Sequence, residues 1–296
     1  MQLSTLFTSS FLAYICATGL VQSAPIEKRG SKSLYGITYT AKNGDGSCHN
    51  AKDVLQYVTD FQKNGIMNIR TYSQECDQLA NIIDAIEKVD SSMRVAAAVW
   101  IDGTSGDEEE IKTLVSTLEK KKNSHQVIKS IIVGNESIFS GRLSEQDLIK
   151  KIQKVKSQIK GNIPIGTVET PSTFPKDVVQ ACDTLGVNIH PYFAEVSADQ
   201  AGDNLLSQYN NFKKEHGNGK SIFVAETGWP SDGNDNGKSV PSIPNVQKFV
   251  NQLKKINDVE YYYFEAQDSN WKNAGDFGVE THFGLFDGAG KSKVVF

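Results

Sequence analysis

The run Lys129-Ser130-Ile131-Ile132-Val133-Gly134-Asn135-Glu136 is followed by Ser144-Glu145-Gln146-Asp147-Leu148-Ile149 and then, past Gly161, by Pro164-Ile165-Gly166-Thr167-Val168. Residues Lys129–Gly134 form a short, nearly continuous apolar stretch rich in β-branched side chains, the pattern of a strand buried on both faces. Ser144-x-x-Asp147 is a helix start: the hydroxyl can accept the N–H three residues on, and the acid suits the first turn. Leu148, Ile149, Ile152, Val155 and Ile159 then fall on one helical face, which Gly161 ends before Pro164. Ile165–Val168 reads as a second strand. Strand, crossover helix and parallel strand make one βα unit of about 30 residues.

The same period runs outward in both directions. Further strands are expected at Tyr35–Tyr39, Asn68–Tyr72, Arg94–Trp100, Val187–Tyr192, Ile222–Ala225 and Glu260–Phe264, with starts about 32 residues apart. The first helix has Asn50 as N-cap, Val54, Leu55, Val58 and Phe61 on one face, and Gly65 as its stop. Eight strands with helices between them predict an α/β fold, a (β/α)8 TIM barrel, as a single domain over residues 30–296. An open doubly wound sheet is the competing reading. It lacks the expected G-x-G-x-x-G after the first strand, where Tyr35-Gly36-Ile37-Thr38-Tyr39 stands instead. The segment Ser231–Pro244 reads as a long polar loop after the seventh strand.

The composition of the 296 residues, 39% hydrophobic and 22% charged with only 8 Pro, excludes collagenous, disordered and coiled-coil classes. A net charge of −4 leaves no basic surplus to neutralise a phosphate backbone, so no nucleic acid partner is expected. Residues Leu3 to Val21 are almost free of charge and end at small Ser23 and Ala24, which predicts a signal peptide over residues 1–24 rather than a membrane span. Residues 25–29 read as a short pro-segment ending at the dibasic Lys28-Arg29. A soluble or wall-associated secreted protein, acting as a monomer away from any membrane, follows as the expectation.

Secretion permits a disulfide. Cys16 leaves with the leader, so Cys48, Cys76 and Cys182 allow one bridge and one thiol. The loops after strands one and two lie at the same barrel end, which predicts Cys48–Cys76 with Cys182 free. Five histidines without paired spacing, and no C-x-x-C, predict no metal and no cofactor.

In a barrel of this kind the active site sits at the C-terminal ends of the strands. There the sequence delivers Arg70-Thr71-Tyr72, Trp100-Ile101-Asp102, Asn135-Glu136, Glu169, His190-Pro191-Tyr192-Phe193, Glu226 and Glu265. Carboxylates among aromatic rings suit glycoside hydrolysis: one acid protonates the leaving oxygen, another attacks or activates water, and rings stack on sugar faces. Any single one of these glutamates could equally cap the helix that follows it. Trp100, Trp229, Tyr39 and Tyr72 are candidate sugar platforms, with simple rim packing as the alternative. Asp102 before Gly103 fits a loop turn, and Glu169 could sit on the rim.

Gly134-Asn135-Glu136 and Glu226-Thr227-Gly228-Trp229-Pro230-Ser231 resemble the two signatures of glycoside hydrolase family 17, the β-1,3-glucanases. Tyr35-Gly36-Ile37, Ile69-Arg70-Thr71-Tyr72, Asn188-Ile189-His190-Pro191-Tyr192-Phe193 and Phe264-Glu265-Ala266 with Trp271-Lys272 extend the resemblance along the chain, toward its fungal cell-wall branch. The resemblance implies a retaining β-1,3-glucan hydrolase with Glu136 as acid/base and Glu226 as nucleophile. A β-1,3-glucanosyltransferase using the same glutamates is the alternative, and a non-catalytic wall protein that binds glucan is a third reading. It further implies that Asn135 binds the sugar 2-hydroxyl, Arg70 keeps the nucleophile ionised, Tyr192 contacts it from strand six, and Lys272 reaches the substrate with Glu265 nearby. Ser269 and Gln267 depart from the family pattern, in which an acid and an aromatic are common at those places.

Overall fold

The computed structural model describes residues 33–295, so the signal-peptide and pro-segment readings, with Lys28-Arg29, lie outside the described residues. The elements run β1 (Gly36–Thr38), α1 (Ala51–Lys63), β2 (Asn68–Arg70), α2 (Gln78–Val89), β3 (Arg94–Val99), α3 (Gly106–Lys120), α4 (Ser124–Val127), β4 (Ile128–Asn135), α5 (Glu145–Gln158), β5 (Ile165–Glu169), α6 (Lys176–Ala181), β6 (Thr184–Asn188), α7 (Ala201–His216), β7 (Ser221–Thr227), α8 (Ile243–Leu253) and β8 (Tyr261–Tyr263). The strands pair in parallel in chain order, and β8 closes on β1 through Gly36↔Tyr262 and Ile37↔Tyr263. This is the (β/α)8 barrel, without an open edge.

The helix ends follow the local chemistry. Asn50 Oδ1 accepts the N–H groups of Lys52 and Asp53, and Asp53 accepts the Asn50 N–H in return, a reciprocal cap worth about 1 kcal/mol. Ser144 Oγ accepts the Asp147 N–H at 3.2 Å and opens α5, which buries Leu148, Ile152 and Val155 against the sheet. Truncating Ile152 to Ala in that close-packed layer would cost about 2–5 kcal/mol.

Two of the boundaries that differ from the sequence reading have a local cause. β6 spans Thr184–Asn188 rather than Val187–Tyr192. Gly186 sits inside it because a Cβ there would stand 2.5 Å from Val168 Cγ2, and Pro191 opens a 3-10 turn that ends the extended run. The loop after β7 ends at Ser242, whose hydroxyl accepts the Asn245 N–H, so Pro244 belongs to the first turn of α8.

The Cys48–Cys76 disulfide ties the β1–α1 loop to the β2–α2 loop with a Cα–Cα distance of 5.3 Å. Cys182 remains a buried thiol, which burial pushes up to about 11. After β8 the chain crosses the barrel top without a helix among the described residues. It is pinned there by Lys293 Nζ, which bonds Asp268 Oδ1 at 2.7 Å and Ser231 Oγ at 2.8 Å.

Candidate active site

Five strands end in polar side chains at the same rim. Arg70, Asn135, Glu169 and Asn188 are the last residues of β2, β4, β5 and β6, and Glu226 is the last but one of β7, paired in register with Asn188. Arg70 is fully buried. Its Nη1 donates to Glu226 Oε1 at 2.8 Å and to the Ala225 carbonyl at 3.1 Å, and its Nη2 donates to Asn135 Oδ1 at 2.6 Å. Asn188 Nδ2 continues the chain of contacts to Asn135 Oδ1 at 3.3 Å and Glu136 Oε1 at 2.8 Å. His190 Nε2 lies 3.2 Å from Glu226 Oε2, so each carboxylate oxygen of Glu226 has its own cationic or N–H partner.

These partners split the two glutamates electrostatically. Burial alone would raise Glu226, but the His190 hydrogen bond and the Arg70 charge outweigh it and hold the carboxyl at about 2. Glu136 moves the other way: burial raises it, and the Glu226 charge adds to the shift against the Asn188 bond and the charges of His190 and Arg70. One acid is therefore ionised and the other is biased toward its protonated form.

The backbone at Glu136 explains how a strand end can aim its side chain inward. The β4–β5 register slips between Ile132 and Asn135, Gly134 has φ +77°, and a Cβ on it would stand 2.6 Å from Ser137 Oγ. Glu136 itself has φ +51°, a left-handed conformation uncommon for a residue with a side chain, and its N–H donates to the Val168 carbonyl at 2.8 Å.

A cleft passes over this cluster in two limbs that share Glu226, Phe264 and Glu280. The larger, about 990 Å³, runs past Tyr72, Trp100, Asn135, Trp271 and Lys272, and the smaller, about 480 Å³, is lined by Glu136, Asn188, His190, Phe139 and Phe193. Lys272 Nζ stands 4.5 Å from the Phe264 ring centroid, and Lys42 Nζ is 4.8 Å from that of Trp271. Among the described residues no cluster of His, Cys, Asp and Glu could hold a metal ion.

Several sequence candidates fall elsewhere. Tyr39 is 1% exposed, with its hydroxyl 2.8 Å from His49 Nδ1, so it offers no face to a sugar. Trp229 is completely buried and donates Nε1–H to the Val240 carbonyl. Tyr192 is buried too: Pro191 turns the chain, and its hydroxyl bonds the Asn234 carbonyl, while His190 takes the contact with Glu226. Glu265 is 3% exposed and lies behind Lys272, accepting its ammonium on both oxygens at 2.8 Å. Ser269 fills the departure from the family pattern by donating to Glu265 Oε2 at 3.0 Å. Gln267 bonds the Tyr57 hydroxyl and the Gly288 carbonyl, away from the cleft. Asp102, by contrast, lines the larger limb, where it accepts the Thr104 N–H in a loop turn.

Sequence reasoning placed His190 at this rim and Asn188 and Phe264 in motifs but gave none of them a role, and it missed Glu280 as a cleft residue. Strand alternation was the available signal for His190, which lies two residues beyond Asn188 on the same face.

The BtgE/BtgC glycoside hydrolase domain model matches residues 36–284. "Probable beta-glucosidase btgE" of Aspergillus fumigatus is 32% identical over 261 residues, covering 85% of this chain and 45% of that protein. "Probable family 17 glucosidase SCW10" of Saccharomyces cerevisiae is 31% identical over 257 residues, covering 84% and 64% respectively. The chain thus spans about half to two thirds of the length of these relatives. The crystal structure of a family 17 β-1,3-glucanosyltransferase from Rhizomucor miehei superposes with a TM-score of 0.78 at 28% identity, covering 90% of this chain and 98% of that one. The chain belongs to the BtgE/BtgC glycoside hydrolase domain family, within the fungal branch of glycoside hydrolase family 17.

Proposed function

We propose that this domain cleaves β-1,3-glucan with retention of configuration, Glu226 attacking the anomeric carbon and Glu136 protonating the departing oxygen. The observation that carries the reading is the opposed protonation of the two glutamates at one cleft: Arg70 and His190 keep Glu226 ionised, while burial and the Glu226 charge push Glu136 up. With its Oδ1 engaged by Arg70 and Asn188, Asn135 has its amide N–H to offer the sugar 2-hydroxyl. Collapse of the glycosyl-enzyme reverses the roles, Glu136 taking a proton from the incoming hydroxyl. Because the cleft extends to both sides of Glu226, a chain can lie across the site, which supports internal cleavage. The leader expected at residues 1–24 and the Cys48–Cys76 disulfide both support release to the wall or medium.

A second reading, transfer to another glucan, draws on one observation. Glu136 lines only the smaller limb, which places the leaving and incoming groups there, and Phe139 and Phe193 stand 59% and 45% exposed on that limb. Rings presented this way suit stacking on an acceptor sugar. Laminari-oligosaccharides of defined length, resolved by chromatography, test both. Shorter products alone mean hydrolysis, products longer than the substrate mean transfer, and an unchanged oligosaccharide refutes both.

A further inference from the structure

Glu169 is a buried carboxylate at the end of β5 that no step above uses. It is 0% exposed and lines neither limb of the cleft. A carboxylate in such a place needs partners for its oxygens, and here both are backbone N–H groups. Oε1 accepts from Ile138 at 2.9 Å and Oε2 from Phe139 at 3.1 Å, with Thr173 Oγ1 at 3.4 Å. These N–H groups belong to the turn that immediately follows Glu136. The preceding residue of the same strand, Val168, accepts the N–H of Glu136 itself. Two successive residues of β5 therefore grip the backbone on either side of the Glu136 side chain, at a point where φ is +51° and the ordinary strand ladder has already slipped.

We infer that Glu169 is a positioning residue for the acid/base: its two oxygens fix the 137–139 turn so that the Glu136 carboxyl meets the glycosidic oxygen. This rests on the assignment of Glu136 as the acid. A left-handed residue keeps its conformation only where its surroundings over-determine it. Of the turn's other ties, Ser140 N–H and Oγ return to the Glu136 carbonyl within the turn, and Ser137 Oγ donates to the Ile101 carbonyl at 2.9 Å on the side of β3. On the other side, β5 ties the turn to the barrel wall through Val168 and Glu169, next to the Asn188 bond to the Glu136 carboxyl itself. A displacement of about 1 Å in a proton donor costs on the order of 100-fold in rate.

The variant Glu169→Gln keeps the shape and one acceptor oxygen, but points an amide NH2 at the second backbone donor. Two substrates separate positioning from general damage: a laminari-oligosaccharide, whose leaving sugar needs a proton, and 2,4-dinitrophenyl β-laminaribioside, whose leaving group does not. Expected is a fall in kcat/KM on the oligosaccharide of about 10- to 100-fold, and a loss at least about tenfold smaller in kcat/KM on the aryl glycoside, a ratio that reports only the steps up to the glycosyl-enzyme and not the base-assisted collapse that Glu136 also serves. Glu169→Asp retains two acceptor oxygens and should recover part of the oligosaccharide rate, and it carries the test if the Gln variant does not fold. Equal losses on the two substrates, or no loss on either, overturn the inference. If the wild-type protein turns over neither substrate, the proposed function fails instead.

Discussion

Replacing Arg70 by Lys keeps a positive charge beneath Glu226 but removes the planar fork that divides itself among three acceptors. The guanidinium donates to Glu226 Oε1, the Ala225 carbonyl and Asn135 Oδ1, all from a fully buried position. An ammonium can satisfy about one of them at full strength, so two buried hydrogen bonds of about 1–1.5 kcal/mol each are lost, about 2–3 kcal/mol in all. For a domain of this size that is a fall in Tm of about 5–10 °C. The sign with pH follows from Glu226, whose folded carboxyl at about 2 lies below the ordinary value of 4.5. A depressed carboxyl adds stability above the unfolded value and gives it up as pH falls through the folded one. The part of the variant's deficit that comes from Glu226 should therefore shrink between about pH 4.5 and 2. Weaker stabilisation of the carboxylate also raises its pKa, so the acid limb of kcat/KM should move to higher pH. Thermal unfolding and a pH–rate profile on the same preparations read both effects. An acid limb that stays put in Arg70→Lys, in a folded enzyme, would refute the claim that Arg70 keeps the nucleophile ionised.

What the sequence could reveal follows from how local each determinant is. The α1 and α5 caps lie within three residues of what they bond, so Asn50 and Ser144 were legible, as was the alternation that builds the barrel. Arg70, Asn135, Glu136 and Glu226 stand in motifs at strand ends, where the barrel geometry brings distant segments to one rim. Whether a ring faces the cleft or the core is not local. Tyr39 and Trp229 are as aromatic as Trp271, yet Tyr39 packs on His49 and Tyr57, Trp229 on Tyr192 and Phe249, and only Trp271 stands 39% exposed. The exchange of Tyr192 for His190 beside Glu226 has a similar origin. Extrapolating strand alternation past Pro191 puts both on the cleft face, whereas the 3-10 turn sends Tyr192 inward. The partners of Glu169 are backbone N–H groups on another strand's loop, and backbone donors leave no residue-type signature at all.

Removing the Cys48–Cys76 bridge by paired Ala substitution opens a loop of 28 residues' separation and should cost about 3–4 kcal/mol in urea unfolding. Trp271 leans on the Gly46 hairpin that this bridge anchors, so KM for long oligosaccharides should rise more than KM for short ones; equal changes would separate the bridge from the cleft wall. The sequon Asn135-Glu136-Ser137 should carry no glycan, because Asn135 Oδ1 is bonded by Arg70 within the site; a glycosidase-sensitive mass shift on the Asn135 peptide would overturn that placement. Glu226, protonating only near 2, should set no acid limb above that, and activity should fall as pH rises through the Glu136 value, which lies above the ordinary 4.5; an alkaline limb at or below that ordinary value would contradict the buried acid. The assignment of the two roles is tested by azide with an activated aryl laminarioside. Glu226→Ala has no nucleophile, so azide entering the vacated space attacks the face that Glu226 would have attacked and yields the α-glycosyl azide. Glu136→Ala still forms the glycosyl-enzyme from a good leaving group, and azide, needing no general base, then displaces Glu226 to give the β-glycosyl azide. The opposite pairing of products would exchange the roles of the two glutamates, and an inverted product from the wild-type enzyme would reject the covalent mechanism, because a single displacement gives inversion and only two successive ones restore the starting configuration.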